Sequence, residues 1–179
     1  MDKKTANMTN THRIKPEVVR GDIAAQHDIS AVVNAANAGL KTGGGVAGAI
    51  HRAAGPGLEE ECRPLAPIKP GEAVITGAHD LPNDYVIHCL GPVYGRDKPE
   101  DKLLASCYRN ALLLADKHKI PSVAFPAISA GAFGYPLDEA AAVAMDTIYE
   151  TIPDLCHVRT IRMVLFGELD LQAFQKQLR

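Results

Sequence analysis

An α/β domain built on a mostly parallel sheet is the fold class this sequence predicts, and three observations predict it. Short β-branched runs alternate with helical patterns along the chain, glycine-rich and small-residue loops lead from strands into helices, and neither an internal repeat nor a linker divides the 179 residues. A domain of this size buries about 70% of the surface its unfolded chain exposes, enough for a core without staples. With 46% hydrophobic and 22% charged residues the balance is that of a globular chain. Residues 1–12 are polar, without an apolar period or the apolar stretch of a secretory signal, and read as a flexible tail ahead of one domain at 13–179.

The elements follow in order. Ile14 to Val19 has a weak strand pattern that ends in Arg20-Gly21-Asp22-Ile23. Ile29 to Val33 contains a continuous β-branched run that stops at Asn34, as expected of a central strand covered on both faces. Val46 to Ala54 is an alanine-rich helix fed by Gly43-Gly44-Gly45. Gly71 to Thr76 and Asp84 to Leu90 are strands, read as neighbours, with Leu81-Pro82-Asn83-Asp84 supplying turn chemistry. Leu103, Leu104, Cys107, Tyr108, Ala111, Leu112 and Ala115 recur at helical spacing, with acids before them and Lys117-His118-Lys119 after, matching the helix dipole. Ser122 to Ile128 is a buried strand, Leu137 to Ile152 a helix, Thr160 to Phe166 the last strand and Leu169 to Leu178 the closing helix.

A net charge of -2 supplies no electrostatic footprint for a nucleic-acid backbone. No apolar run is long enough to cross a bilayer. Cys62, Cys89, Cys107 and Cys156 are widely spaced without a CxxC pair, so neither a zinc cage nor a redox dithiol is expected; the thiols read as core filler in a cytoplasmic protein. His51 and His88 have no partner at metal spacing and read as structural histidines. No metal and no cofactor are expected.

In a parallel sheet, ligands bind beyond the C-terminal ends of the strands. The unusual clusters all fall there: Asn34, Gly91-Pro92, Ser129 and Phe166-Gly167. Gly43-Gly44-Gly45-Val46 opening a helix is either a flexible turn or a backbone cradle for a diphosphate. A second loop, Ser129-Ala130-Gly131-Ala132-Phe133-Gly134, favours the cradle, because two such loops at one sheet edge clamp a diphosphate from both sides. No lysine and serine or threonine follow the glycines as a P-loop needs, and no GxGxxG opens the first strand-to-helix turn. Asn34-Ala35-Ala36-Asn37 offers two amides, either as turn formers or as donor and acceptor groups for sugar hydroxyls. Asp22 either receives an exocyclic amine or caps the next helix. Phe166 is either core or a face for a purine.

Gly21-Asp22-Ile23, Val33 to Asn37, Gly43 to His51, Val86-Ile87-His88 with Gly91-Pro92, and Phe125 to Gly131 together resemble the macro domain family in order and spacing, over nearly all of the chain after the tail. Within it the chain is similar to the bacterial O-acetyl-ADP-ribose deacetylase and mono-ADP-ribosyl hydrolase group, through Ile50 to Pro56 and Gly134-Tyr135-Pro136. The resemblance implies a three-layer α/β/α sandwich with a central mixed, mostly parallel sheet and ADP-ribose across its crest. It implies that Asp22 receives the adenine amine, the Ile23 backbone reads the ring and Phe166 stacks on it. Gly43, Gly44, Gly45 and Val46 would hold the diphosphate with Ser129, Ala130, Gly131, Ala132 and Phe133, and Phe133 would also flank the distal ribose. Asn37, Asn34 and Gly45 stand at the catalytic positions, Asn37 binding the distal ribose hydroxyls and Asn34 shaping the loop.

One departure stands out. Many deacetylases of this group carry an aspartate where this chain has Ala47, whereas the Gly-Gly-Gly-Val-Ala-Gly run also occurs in viral macro domains in which the ligand's own phosphate is proposed to activate water. The resemblance therefore implies hydrolysis of esters on the distal ribose by substrate-assisted water activation, with a non-catalytic ADP-ribose reader and an ADP-ribose 1''-phosphate phosphatase as alternatives. The implied partners are ADP-ribose or its esters and mono-ADP-ribosylated proteins, bound by a monomer.

Overall fold

The computed structural model describes residues 14–179; the tail read at residues 1–12 lies outside the described residues. Among these, six strands form one sheet: β1 (Glu17–Arg20), β2 (Ala31–Ala35), β3 (Ala73–Gly77), β4 (Tyr85–Cys89), β5 (Ser122–Phe125) and β6 (Thr160–Leu165). Their spatial order is β1-β6-β5-β2-β4-β3. Every neighbouring pair is parallel except β3 with β4, which run antiparallel. The strands expected to be neighbours at 71–76 and 84–90 do pair, and they are what makes the sheet mixed. β2 lies inside the sheet between β5 and β4, and its first four residues are buried.

Five helices cover the two faces: α1 (Gly45–Ala54), α2 (Pro56–Cys62), α3 (Glu100–Lys117), α4 (Leu137–Thr151) and α5 (Glu168–Gln175). The period of two along each strand divides the core. Val33, Ile87, Cys89, Val123, Phe125, Ile161, Met163 and Leu165 pack with Leu104, Leu112, Met145, Ile148 and Phe174 of α3, α4 and α5. Val32, Val86, Ala124 and Val164 turn the other way, onto Ile50, Ala54, Leu58 and Cys62 of α1 and α2. Each fully buried large aliphatic side chain contributes roughly 1.5–3 kcal/mol. The result is a three-layer α/β/α sandwich.

Helix α2 has no counterpart in the sequence reading. Its signals are short-range: Pro56 stands at the first helical position, Glu59 lies in the first turn, and Leu58 and Cys62, four apart, are both buried. Three of the four cysteines are core filler as expected; Cys156 is not, being exposed between α4 and β6. Burial pushes the Cys62 thiol up to about 11 and that of Cys107 up to about 12, so neither is a thiolate near neutral pH.

Candidate functional site

A cleft of about 770 Å³ opens along the C-terminal ends of β1, β6, β5 and β2, within the size range of small-molecule sites. Asp22, Ile23, Asn37, the 43–47 loop, Gly91, the 126–133 segment and Val164 to Phe166 line it. Apart from Asn34, every site residue read from the sequence reaches this cleft.

The first wall is the glycine loop. Gly44 is the N-cap of α1 and has no side chain to cap it, so the first-turn N–H groups, at Gly45 and Val46, stand at the cleft wall. Gly45 takes a left-handed φ of +54°. One turn on, Gly48 lets the loop lie against the helix, since a Cβ there would strike the carbonyl oxygen of Gly43 and come within 2.9 Å of the Arg52 guanidinium.

The facing wall is the loop after β5, which is braced from below. The buried Tyr108 hydroxyl on α3 donates to Pro126 O (3.2 Å) and accepts from Ile128 N (3.1 Å). Ser129, left-handed at φ +64°, donates its hydroxyl to Pro92 O at 2.8 Å, and its carbonyl accepts from Tyr135 N at 3.0 Å. Gly91 is required for this approach: a Cβ would collide with Ser129 Oγ and stand 2.5 Å from Ile128 Cγ2. Gly131 then faces open space.

At the β1–β6 end, Asp22 Oδ1 accepts from Ala24 N at 2.9 Å and so caps the 3-10 turn Ile23–Ala25. Asp22 also lines the cleft, so the cap and a place at the cleft coexist. Phe166 is 86% exposed, which removes it from the core. An aromatic ring left in water beside a cleft is a surface awaiting an apolar or π partner.

Asn37 lines the cleft with its amide tied to one residue: Nδ2 donates to Lys41 O (2.8 Å) and Oδ1 accepts from Lys41 N (2.9 Å). Asn34 requires a correction. β2 extends through Ala35, two residues past the predicted end at Val33, so Asn34 still obeys strand alternation and its side chain enters the layer beneath α1 and α2. There, 1% exposed, it lies 3.1 Å from Nδ1 of His88, and it is not among the residues lining the cleft. His88 Nε2 in turn lies 2.9 Å from Thr76 Oγ1, which donates to Gly77 O. Asn34 donating and Thr76 accepting fix a neutral imidazole with its proton on Nε2, and burial holds its pKa down to about 3. His88 is structural. The side chain of His51 is buried and its pKa lowered by burial.

Titratable side chains in the cleft are few. Among the described lining residues they are Asp22, Asp170 and Arg52; where the glycine loop enters α1 the side chain is that of Ala47. No group of three or more His, Cys, Asp or Glu is placed to hold a metal ion among the described residues.

The macro domain family profile matches residues 33–144, which takes in the glycine loop, the loop after β5 and part of α4. The chain belongs to the macro domain family. A macro domain-containing protein of Chlorobaculum tepidum is 47% identical over 161 residues, spanning 89% of this chain and 93% of its own length. An O-acetyl-ADP-ribose deacetylase of Enterobacter cloacae is 44% identical over 172 residues, spanning 92% and 95%. Among solved structures the Oceanobacillus iheyensis macrodomain with ADP superposes with a TM-score of 0.84 at 40% identity, covering 88% of this chain and 86% of that one. The same macrodomain has been solved as a glycine-to-valine variant with ADPR, and as asparagine-to-alanine and aspartate-to-alanine variants.

Two macro domain residues of the cleft, Arg52 and Asp170, were missed as cleft residues in the sequence reading. Both sit on helices, where a lone charge reads as a solvated face or as a complement to the helix dipole; only the packing of α1 and α5 against the sheet shows which way they turn.

Proposed function

We propose that this macro domain binds ADP-ribose in the cleft and hydrolyses esters on the ligand's distal ribose: the acetyl ester of O-acetyl-ADP-ribose, the ester linking mono-ADP-ribose to acidic side chains, or both. The observation that carries this reading is the pair of facing loops poor in side chains, with the exposed Phe166 at one end of the cleft and Asn37 at the other. Backbone N–H groups at a helix start suit a diphosphate, Phe166 suits a purine, and Asp22 suits its amine. Relatives named O-acetyl-ADP-ribose deacetylase and a neighbour solved with ADPR support the same ligand. In that neighbour the varied asparagine, glycine and aspartate are spaced by seven and then three residues, as Asn37, Gly44 and Ala47 are here.

With alanine at that third position, the attacking water takes its base from the ligand. A water held between diphosphate and distal ribose passes a proton to a phosphate oxygen and attacks the ester carbonyl carbon. The bond from that carbon to the ribose oxygen then breaks, and the proton is returned to the ribose. Acetate, or the freed carboxylate side chain, leaves with ADP-ribose as the second product. Asn37 retains one amide hydrogen and acceptor capacity beyond its bonds to Lys41, enough to meet ribose hydroxyls. Orientation supplies most of the rate in this scheme.

Ala47 favours a second reading, a non-catalytic reader of ADP-ribose, since positioned base assistance is typically worth about 10² to 10⁴ in rate. Incubation of pure protein with O-acetyl-ADP-ribose and with aspartate- or glutamate-linked ADP-ribosyl protein separates the two. Turnover above buffer, lost in Asn37→Ala, is the expected result. ADP-ribose binding without turnover of either substrate identifies a reader, and absence of both binding and turnover rejects the ligand assignment itself.

A further inference from the structure

The nucleoside end of the cleft is acidic. Asp22 and Asp170 both line it, and neither forms an ion pair among the described residues. The nearby cation, Arg20, is engaged elsewhere: its Nε donates to Phe166 O at 3.2 Å and its Nη1 lies 3.5 Å from Glu168 Oε2. Asp22 also caps the 3-10 turn, whereas Asp170 has no hydrogen-bond partner among the described residues. A first-turn acid on α5 complements the helix dipole wherever its side chain points, but that does not account for a carboxylate at a cleft wall.

The topology says what lies opposite it. β5 and β6 are adjacent, and the loops leaving them enter α4 and α5, which lie in the same layer and pack on each other. Asp170 is thus on the α5 side of the gap between Phe166, where the purine stacks, and the Ser129 to Phe133 loop, where the diphosphate lies. The group joining a purine to a diphosphate is the purine-side ribose. Resting on the ligand reading above, we infer that Asp170 is a specificity residue that reads the 2′- and 3′-hydroxyls of this ribose and rejects ligands carrying a phosphate there. A carboxylate accepts from two neighbouring hydroxyls at once, and an acid so placed selects the unphosphorylated sugar in nicotinamide dinucleotide sites by the same chemistry. A 2′-phosphate would bring about two negative charges against Asp170 with Asp22 close by and no lining cation on this side.

Calorimetric titration of the full chain with ADP-ribose and with its 2′-phosphorylated form tests this. The wild type is expected to prefer ADP-ribose at least tenfold. Asp170→Asn reduces that preference below threefold, and Asp170→Lys reverses it. Equal affinity of the wild type for both ligands, or a preference unchanged in both variants while ADP-ribose still binds, overturns the role of Asp170 alone. Binding of neither ligand by the wild type overturns the ligand reading along with it.

Discussion

Asn37 and Lys41 are joined by two hydrogen bonds, the side-chain amide of Asn37 donating at 2.8 Å to the carbonyl and accepting at 2.9 Å from the N–H of the same residue. The clamp closes the turn that delivers the chain into the glycine loop, so Asn37 acts on loop geometry as well as facing the cleft. Asn37→Ala removes both functions. We expect kcat on O-acetyl-ADP-ribose to fall at least 100-fold while the Kd for ADP-ribose rises less than tenfold, with a stability cost of about 1 kcal/mol because the bonds are exposed. Parallel kinetics and calorimetry check this; weaker affinity with kcat unchanged would assign Asn37 to binding alone.

Ala47→Asp tests the source of the base. If the ligand's phosphate already activates the water, a carboxylate added at the glycine-loop helix changes turnover less than tenfold. A gain of 100-fold or more, with ADP-ribose affinity unchanged, would show instead that a protein base was the missing part. Single-turnover rates at saturating substrate read this directly.

Gly91→Ala would damage the second loop from beneath. The new Cβ meets Ser129 Oγ and, at 2.5 Å, Ile128 Cγ2, so the left-handed Ser129 and its bond to Pro92 must shift. Overpacking of this kind costs about 1–3 kcal/mol. We expect a lower Tm and at least tenfold weaker ADP-ribose binding; adding Ser129→Ala relieves only the Oγ collision and restores stability in part.

The particular residues show where sequence reading succeeds and where it stops. The seven apolar positions from Leu103 to Ala115 carry three turns of period, and α3 lies where they place it. The β-branched run within Ile29 to Val33 identifies an interior strand because a sheet covered on both faces leaves no polar alternation there. Asn34 was placed beyond the strand because an amide after an apolar run reads as a turn former, and its partner His88 lies 54 positions away. Asp170 and Arg52 escaped because a single charge on a helix carries no record of the neighbouring element it turns toward. Phe166 was readable only as an aromatic at the right edge; its exposure is a property of the fold.

Phe166→Ala isolates recognition from folding. The ring is 86% exposed, so little core packing is lost and Tm should move by no more than about 2 °C. Affinity for ADP-ribose should fall about tenfold or more through loss of the stacking face. Thermal denaturation and titration on the same sample check both; a large Tm drop with unaltered affinity would return Phe166 to a structural role.

His88 makes stability depend on acid. Its folded pKa, near 3, lies below the ordinary histidine value near 6.5, so below pH 6.5 the unfolded chain takes up a proton that the folded one refuses. Above that value the residue contributes no pH dependence, and between about 6.5 and 3 it removes roughly 1.4 kcal/mol per pH unit. His51, also lowered, acts with the same sign. Urea denaturation at pH 7.5 and pH 5 should differ by about 2 kcal/mol from His88, and a folded His88→Gln variant should lose that part of the difference.

Stacking, phosphate binding and turnover all require a nucleotide sugar lying between the loops at Gly43 to Val46 and Ser129 to Phe133. Isothermal titration of the wild-type chain with ADP-ribose, repeated with Gly131→Leu to put a side chain into the open space at the second loop, measures this directly. One-to-one binding that weakens at least tenfold in the variant, with the fold retained by circular dichroism, is the expected result. No binding heat at millimolar ligand, or equal affinity in both proteins, would contradict it.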